Sequence, residues 1–414
     1  MSYERRIVVT GLGAVSSVGN NVEDSWQALL AGRSGIGPIT RFDASGLRSR
    51  IAGEVKNLDM DAYMNPKEQK RLDLFCQFAV VAGAEALKSA GLEGDLADAS
   101  RCGVIVSSGI GGMHTIIEQT KVMDKRGMDR VSPMLVPMMI SDMASGYLAM
   151  KHNFQGPNFC VVSACASALH SIGEAFWIIK RGDADVMMAG GTEAGVVDLG
   201  IAGFASMHAL STRNDDPTTA CRPFDRDRDG FVPSEGAGIL ILEEEEHAKK
   251  RGATILAEVV GYGLSCDAYH FTAPRDDASC TTAAIEAAFR MAQLPYTDLA
   301  YINAHGTSTV MNDKCETLAI KQALGEHARK VAISSTKSMT GHMLGASGGF
   351  ESMVCVKAIQ ESIVPPTINQ FNADPECDLD YVPNQAREMQ VPLALKLNFG
   401  FGGHNAAVLF RKYA

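Results

Sequence analysis

Short apolar runs alternate along the chain with longer stretches in which apolar positions recur every three to four residues. Runs rich in β-branched residues at Ile7 to Thr10, Gly103 to Ser107, Val186 to Ala189, Gly238 to Leu242, Ile255 to Val260, Leu299 to Ala304, Val331 to Ser334 and Ala406 to Phe410 predict strands. Their near-continuous hydrophobicity predicts sheets covered on both faces. Ala168, Leu169, Ile172, Ala175, Phe176 and Ile179 fall on one helical face, and Lys180-Arg181-Gly182 supplies C-terminal bases and a stop. Glu243 to Glu246 followed by Lys249, Lys250 and Arg251 predicts one solvated helix with acids in its first turn and bases in its last. Strand and helix alternation of this kind predicts an α/β protein.

The pattern also hints at duplication. One half has a strand ending in Ser107-Ser108-Gly109-Ile110-Gly111-Gly112 and later a junction at Cys165. The other has a strand ending in His305-Gly306-Thr307-Ser308 and later one running into Thr336-Lys337-Ser338-Met339-Thr340-Gly341-His342. A boundary after the charged helix divides the chain into 1–252, carrying Cys165, and 253–414, carrying both histidines.

Composition narrows the classes. The 414 residues are 46% hydrophobic and 21% charged, and 38 Lys and Arg against 48 Asp and Glu give a net charge of −10. That balance argues against a general nucleic-acid or anionic-membrane surface. The start, Met1 to Arg6 running straight into Ile7-Val8-Val9, has no leader-like apolar region, and no run is long enough to span a bilayer. Ten cysteines without C-x-x-C pairs read as reduced thiols of a cytoplasmic protein.

Two motifs imitate sites they do not make. Gly11-Leu12-Gly13 lacks the third glycine of a dinucleotide fingerprint, Ser16 standing in its place. Asp225-Arg226-Asp227-Arg228-Asp229-Gly230 opens like a calcium loop but has Gly236 at its twelfth position, so the charges are expected to pair among themselves. Zinc spacing is missing as well, and no catalytic metal is expected.

Cys165 stands where a Val161-Val162-Ser163 strand end turns into a helix. A helix N-terminus favours thiolate over thiol, which makes it a candidate nucleophile. His305 and His342 each follow a strand and a glycine-containing turn crowded with hydroxyls. Lys337 lies five residues before His342, and Asp313 and Glu316 lie close behind His305. A lysine near carboxylates and two imidazoles forms an electrostatic cluster and not a solvated face.

Six segments in order then resemble the β-ketoacyl-acyl-carrier-protein synthases of elongating type, condensing enzymes of the thiolase superfamily. They are the stretch around Cys165, Asp185 to Glu193, Arg222 to Val232, Asn303 to Thr309, Ser334 to His342, and Asn398 to Asn405. The resemblance covers essentially the whole chain. It implies a duplicated five-layered α-β-α-β-α fold, a homodimer or related heterodimer, and a decarboxylating Claisen condensation in two stages with no resident cofactor.

In that scheme Cys165 takes an acyl group from acyl carrier protein, with backbone N–H groups of Cys165 and Phe401 as the oxyanion hole. His305 and His342 stabilise the enolate left when malonyl carrier protein loses CO₂. Lys337, paired with Glu316, orients them. Thr307 and Thr309 match positions that bind the phosphopantetheine arm, Phe401 a gate, Phe399 a further substrate-binding position, and Ile110 the base of the acyl pocket. Lys67, Lys70 and Arg71 form a basic cluster suited to docking an acidic carrier protein.

Departures from the family pattern are Val310-Met311, Lys396-Leu397-Asn398 where Ser-Asn-Ser is common, and His208 where an arginine often stands. The leading expectation is fatty-acid elongation. The alternatives are the catalytic subunit of a type II polyketide synthase paired with a Cys-less homologue, and a Cys-His hydrolase, which leaves the second histidine, the lysine and the gate without a role.

Overall fold

Nine strands join in one mixed sheet in the computed structural model, which describes residues 5–94 and 98–414. In chain order they are β1 (Ile7–Val15), β2 (Cys102–Ser107), β3 (Val186–Glu193), β4 (Gly236–Glu244), β5 (Ala257–Cys266), β6 (Tyr301–Asn303), β7 (Ala332–Ser334), β8 (Leu393–Gly400) and β9 (His404–Arg411). Their spatial order is β2-β3-β4-β1-β5-β9-β8-β6-β7. The sheet is nearly two sheets, because β1 and β5 share only the pairs from Ile7 with Val259 to Val9 with Ala257.

Either side of that junction the same plan repeats. β3 runs parallel to β2 and antiparallel to β4, which is antiparallel to β1. β8 runs parallel to β6 and antiparallel to β9, which is antiparallel to β5. β7 extends the second half, and in the first half only a parallel bridge between Val104 and Asn158 stands at the equivalent edge. Residues 161–163, expected as a strand end, therefore belong to no strand.

Helices complete five layers. α1 (Leu74–Ala90) and α2 (Met143–His152) cover the outer face of the first half; α3 (Ser167–Arg181) and α6 (Ser347–Glu361) lie in the middle; α4 (Ser279–Ala292) and α5 (Val310–Leu324) form the other outer layer. The central helices carry the largest apolar cluster, with Leu169, Ile172 and Phe176 of α3 meeting Phe350, Met353 and Val354 of α6. α3 ends as predicted, with Gly182 at φ 84° accepting the left-handed cap.

The glycines of the false dinucleotide motif have a packing role. A Cβ on Gly13 would lie 1.8 Å from the carbonyl oxygen of Ala82 on α1, and one on Gly11 2.2 Å from that of Ala86. Gly263 and Gly261 stand in the same relation to Ala284 and Ala288 on α4, at 2.0 and 2.3 Å. Backbone approach this close admits only glycine.

Two expectations about charge are corrected. Glu243 and Glu244 end β4, and the following helix is only Glu245–Lys250. Glu243 is wholly buried and is held by Thr10, His247 and Arg251, because the strand end turns it inward. Arg228 likewise pairs outside its own loop, with Asp374 at 2.5 Å and Asp313 at 3.6 Å. Residues 1–4 and 95–97 lie outside the described residues, so the expectation placed on Met1 to Glu4 is not addressed by the structure.

Candidate active site

Both middle helices begin with the same device. A residue at positive φ, Ala164 at 51° and Leu344 at 49°, opens a single 3-10 turn that runs into α3 or α6. The first turn presents Cys165, and the approach to the second carries His342. For a residue with a Cβ this backbone conformation is costly, and it persists because the surrounding layers fix it. The third group comes from the end of β6, where Asn303 is followed by Ala304 and His305.

These residues line one cavity of about 340 Å³ with Thr307, Thr309, Phe399 and Phe401. The rings of His305 and His342 lie 5.3 Å apart and nearly perpendicular. Phe399 backs the first at 5.4 Å and Phe231 the second at 5.4 Å. Thr307 and Thr309 share a hydrogen bond of 2.9 Å between their hydroxyls. Ile110 packs with Leu344, Ile201 and Phe231 in the apolar cluster that contains Cys165. The Phe401 loop closes the β8–β9 hairpin, and a Cβ on Gly400 would lie 2.4 Å from the Ser163 carbonyl oxygen and 3.2 Å from the Cys165 nitrogen.

The tautomers follow from the donors around each ring. His342 Nδ1 lies 3.2 Å from the backbone N–H of Leu344, which can only donate, and 3.0 Å from Ser347 Oγ. His305 Nδ1 lies 3.2 Å from Asn398 Nδ2, an amide nitrogen that also lies 3.4 Å from Glu351 Oε2. Both oxygens of Glu351 already accept from lysine amino groups, so the amide nitrogen and not its oxygen belongs on that side. Both Nδ1 atoms therefore accept, and both rings carry their proton on Nε2. Burial, with Lys337 adding repulsion, holds both imidazoles well below the ordinary value of 6.5, so they are neutral.

Cys165 corrects the expectation of a thiolate. Burial pushes its thiol up to about 12, and the pull of Lys337 is the smaller effect. Lys337 in turn is not paired with Glu316. Its Nζ lies 2.5 Å from Glu351 Oε1, while Glu316 accepts the backbone N–H groups of His305 at 2.7 Å and Gly306 at 2.8 Å. The topology explains the difference: Glu351 is on α6 between the sheets, whereas Glu316 on α5 lies behind the His305 turn. Burial raises the Glu316 carboxyl to about 7. Asp313, also raised by burial, accepts from the backbone of Phe224 and Ser308 and so supports the turn that carries the threonines.

Three buried groups had no role assigned from the sequence. Glu193, at the end of β3, accepts from Ser108 Oγ and from the backbone of Gly109 and Gly345, tying the two halves together beside Cys165; burial raises it to about 7. Glu351 sits between two ammonium groups, Lys337 and Lys396. Lys396 is completely buried, although its sequence context LALKLNF resembles a strand with lysine facing water. Lys67, Lys70 and Arg71, at and just beyond the short helix Pro66–Gln69, are exposed and lie apart from the cavity.

A buried cysteine facing two imidazoles at the centre of a five-layered α/β fold defines the thiolase-like condensing enzymes. The model of the β-ketoacyl synthase N-terminal domain matches residues 4–248, and that of its C-terminal domain residues 256–371. The 3-oxoacyl-[acyl-carrier-protein] synthase 2 of Synechocystis sp. is 54% identical, with 99% of both chains covered, and that of Staphylococcus aureus is 49% identical over 100% of both. Among solved structures, a β-ketoacyl synthase from Burkholderia phymatum is 35% identical with a TM-score of 0.93, covering 99% of this chain and 100% of its own. A type II polyketide ketosynthase in complex with its acyl-carrier protein is 35% identical with a TM-score of 0.92 and the same coverage. The chain belongs to the β-ketoacyl synthase family, the condensing acyltransferases.

Proposed function

We propose that this enzyme elongates acyl chains in fatty-acid synthesis by condensing a Cys165-bound acyl group with malonyl carrier protein, giving 3-oxoacyl carrier protein and CO₂. The observation that carries the reading is the pair of neutral imidazoles whose Nε2–H donors share one cavity with Cys165.

In the first stage Cys165 Sγ attacks the acyl thioester, and the carbonyl oxygen accepts from the backbone N–H groups of Cys165 and Phe401. Collapse breaks the bond to the pantetheine sulfur, which leaves with the proton that Cys165 gives up. No net base is consumed, which suits a thiol that rests protonated. In the second stage the malonyl carboxylate departs as CO₂ and its bonding pair stays as an enolate. The enolate oxygen accepts from Nε2–H of His305 and His342. The enolate carbon then attacks the acyl thioester, a C–C bond forms, the C–S bond breaks, and the Cys165 thiolate so released takes up one proton from solvent water. Both imidazoles act as donors throughout and Glu351 keeps Lys337 beside them.

The pantetheine arm is assigned to the Thr307 and Thr309 hydroxyls, the gate to Phe401, substrate contact to Phe399 on the cavity wall, the pocket base to Ile110, and support to Glu316 and Asp313. Lys67, Lys70 and Arg71 dock the carrier protein, and the enzyme works as a homodimer in the cytoplasm; no helix of the described residues is long and apolar enough to cross a membrane. The chain divides into 1–252 and 253–414, a reading supported by the repeated strand order.

The polyketide alternative draws on the similarity to ketosynthases solved with chain-length factors. Full-length relatives at 49–54% identity favour the fatty-acid reading. Incubation with acyl and malonyl carrier proteins, followed by mass, tests it. The expected result is 3-oxoacyl product and CO₂ from the chain expressed alone; activity only with a Cys-less partner overturns it.

A further inference from the structure

The amino group of Lys396 has no solvent and no free partner. Its Nζ lies 3.2 Å from the carbonyl oxygen of Asn303, 3.0 Å from that of Ala304, 2.7 Å from that of Leu397, and 2.8 Å from Glu351 Oε2. Asn303 and Ala304 directly precede His305, and Lys396 pairs with Asn303 at the last register position shared by β8 and β6. The ammonium thus gathers the carbonyls at the point where the chain leaves the sheet to present the imidazole.

The second contact reaches the same ring by another route. Glu351 is held on one oxygen by Lys337 and on the other by Lys396, and the oxygen facing Lys396 also faces Asn398 Nδ2. That amide donates to His305 Nδ1. Glu351 accepts from both lysine amino groups, and the oxygen that accepts from Lys396 is what turns the Asn398 amide nitrogen toward the imidazole. Burial lowers the Lys396 amino group from its ordinary value and the neighbouring Glu351 carboxylate pulls it back up.

We infer that Lys396 is a positioning residue: it anchors the backbone that delivers His305 and, through Glu351 and Asn398, holds that imidazole as the Nε2–H donor. His342 needs no such relay, since its Nδ1 is fixed by the Leu344 backbone and Ser347.

The inference rests on the proposed condensation, and the test separates the two. Lys396→Met keeps the length of the side chain and removes its charge. Malonyl carrier protein decarboxylation is expected to fall tenfold to a hundredfold, while acylation of Cys165 by acyl carrier protein stays within threefold of wild type. Nitrogen-15 NMR of histidine-labelled protein reads the tautomer: in the wild type Nδ1 of His305 is unprotonated, and in the variant this single state is lost while the His342 signals stay. Unchanged decarboxylation in a folded variant, or a protonated His305 Nδ1 in the wild type, overturns the inference. The wild-type spectrum decides alone should the variant not fold, an unprotonated Nδ1 coupled to the Asn398 amide supporting it. Failure of the wild type to decarboxylate malonyl carrier protein counts instead against the proposed function.

Discussion

Asn398 Nδ2 stands 3.2 Å from His305 Nδ1, so a neutral amide on β8 decides which nitrogen of the imidazole faces the cavity. The same amide nitrogen is oriented by Glu351, the carboxylate that two buried lysines share. The chemistry at His305 is therefore set three side chains away from the substrate.

Replacing that donor with an acceptor tests the assignment. In Asn398→Asp the new carboxylate accepts from Nδ1, and in a ring that burial keeps neutral the single proton then sits there, which turns Nε2 into an acceptor facing the enolate. Loss of one such donor costs on the order of 10²- to 10³-fold. Decarboxylation of malonyl carrier protein is expected to fall by that amount, with acyl transfer to Cys165 retained, both read by mass.

The pH profile has a defined sign. A histidine at the ordinary 6.5 would be half protonated at that pH, but burial lowers both His305 and His342 well below it. Their Nδ1 atoms thus remain acceptors as pH falls through 6.5, and decarboxylation is expected to hold between pH 7 and 6. Burial raises the Glu316 carboxyl above its ordinary value, and any loss of its negative charge behind His305 does not oppose an enolate. A rate that halves at pH 6.5 would show that the rings titrate normally.

Cys165, His305, His342 and Lys337 were legible because each sits at a strand or helix end marked by glycine and small polar residues. The wiring among them was not. Glu351 lies inside an apolar helix and Lys396 inside a strand whose alternation of apolar and polar residues reads as half exposed, yet the middle helices cover one face of that sheet and the outer helices the other. Only the sandwich of α6 between two sheet halves turns such residues inward, and that depends on contacts far apart in the chain. β5 was read as ending at Val260 for a related reason: Gly261 and Gly263 look like strand breakers until α4 is seen lying against them.

That packing makes a stability prediction. Gly13→Ala and Gly263→Ala place a methyl against backbone oxygen in the two halves, at contacts of 1.8 and 2.0 Å that no side-chain rotation relieves. Overpacking of this kind costs about 1–3 kcal/mol or more. Each variant is expected to unfold at lower denaturant by that amount, whereas Gly46→Ala, with nothing within 4 Å, is expected to stay within about 0.5 kcal/mol of wild type.

Carrier docking gives the last prediction. Lys67, Lys70 and Arg71 are exposed and make no ion pair among the described residues, so their charge is unspent on a chain with a net charge of −10. Exposed charges act mainly on encounter rate and are screened within about 10 Å at 0.1 M salt. Reversing all three to Glu is expected to raise KM for acyl carrier protein at least tenfold at low salt, with the difference shrinking as salt rises. Acylation of Cys165 by a small pantetheine thioester, which carries no acidic protein, is expected to be unchanged. Equal losses with both donors would place the effect in the cavity and not at the docking surface.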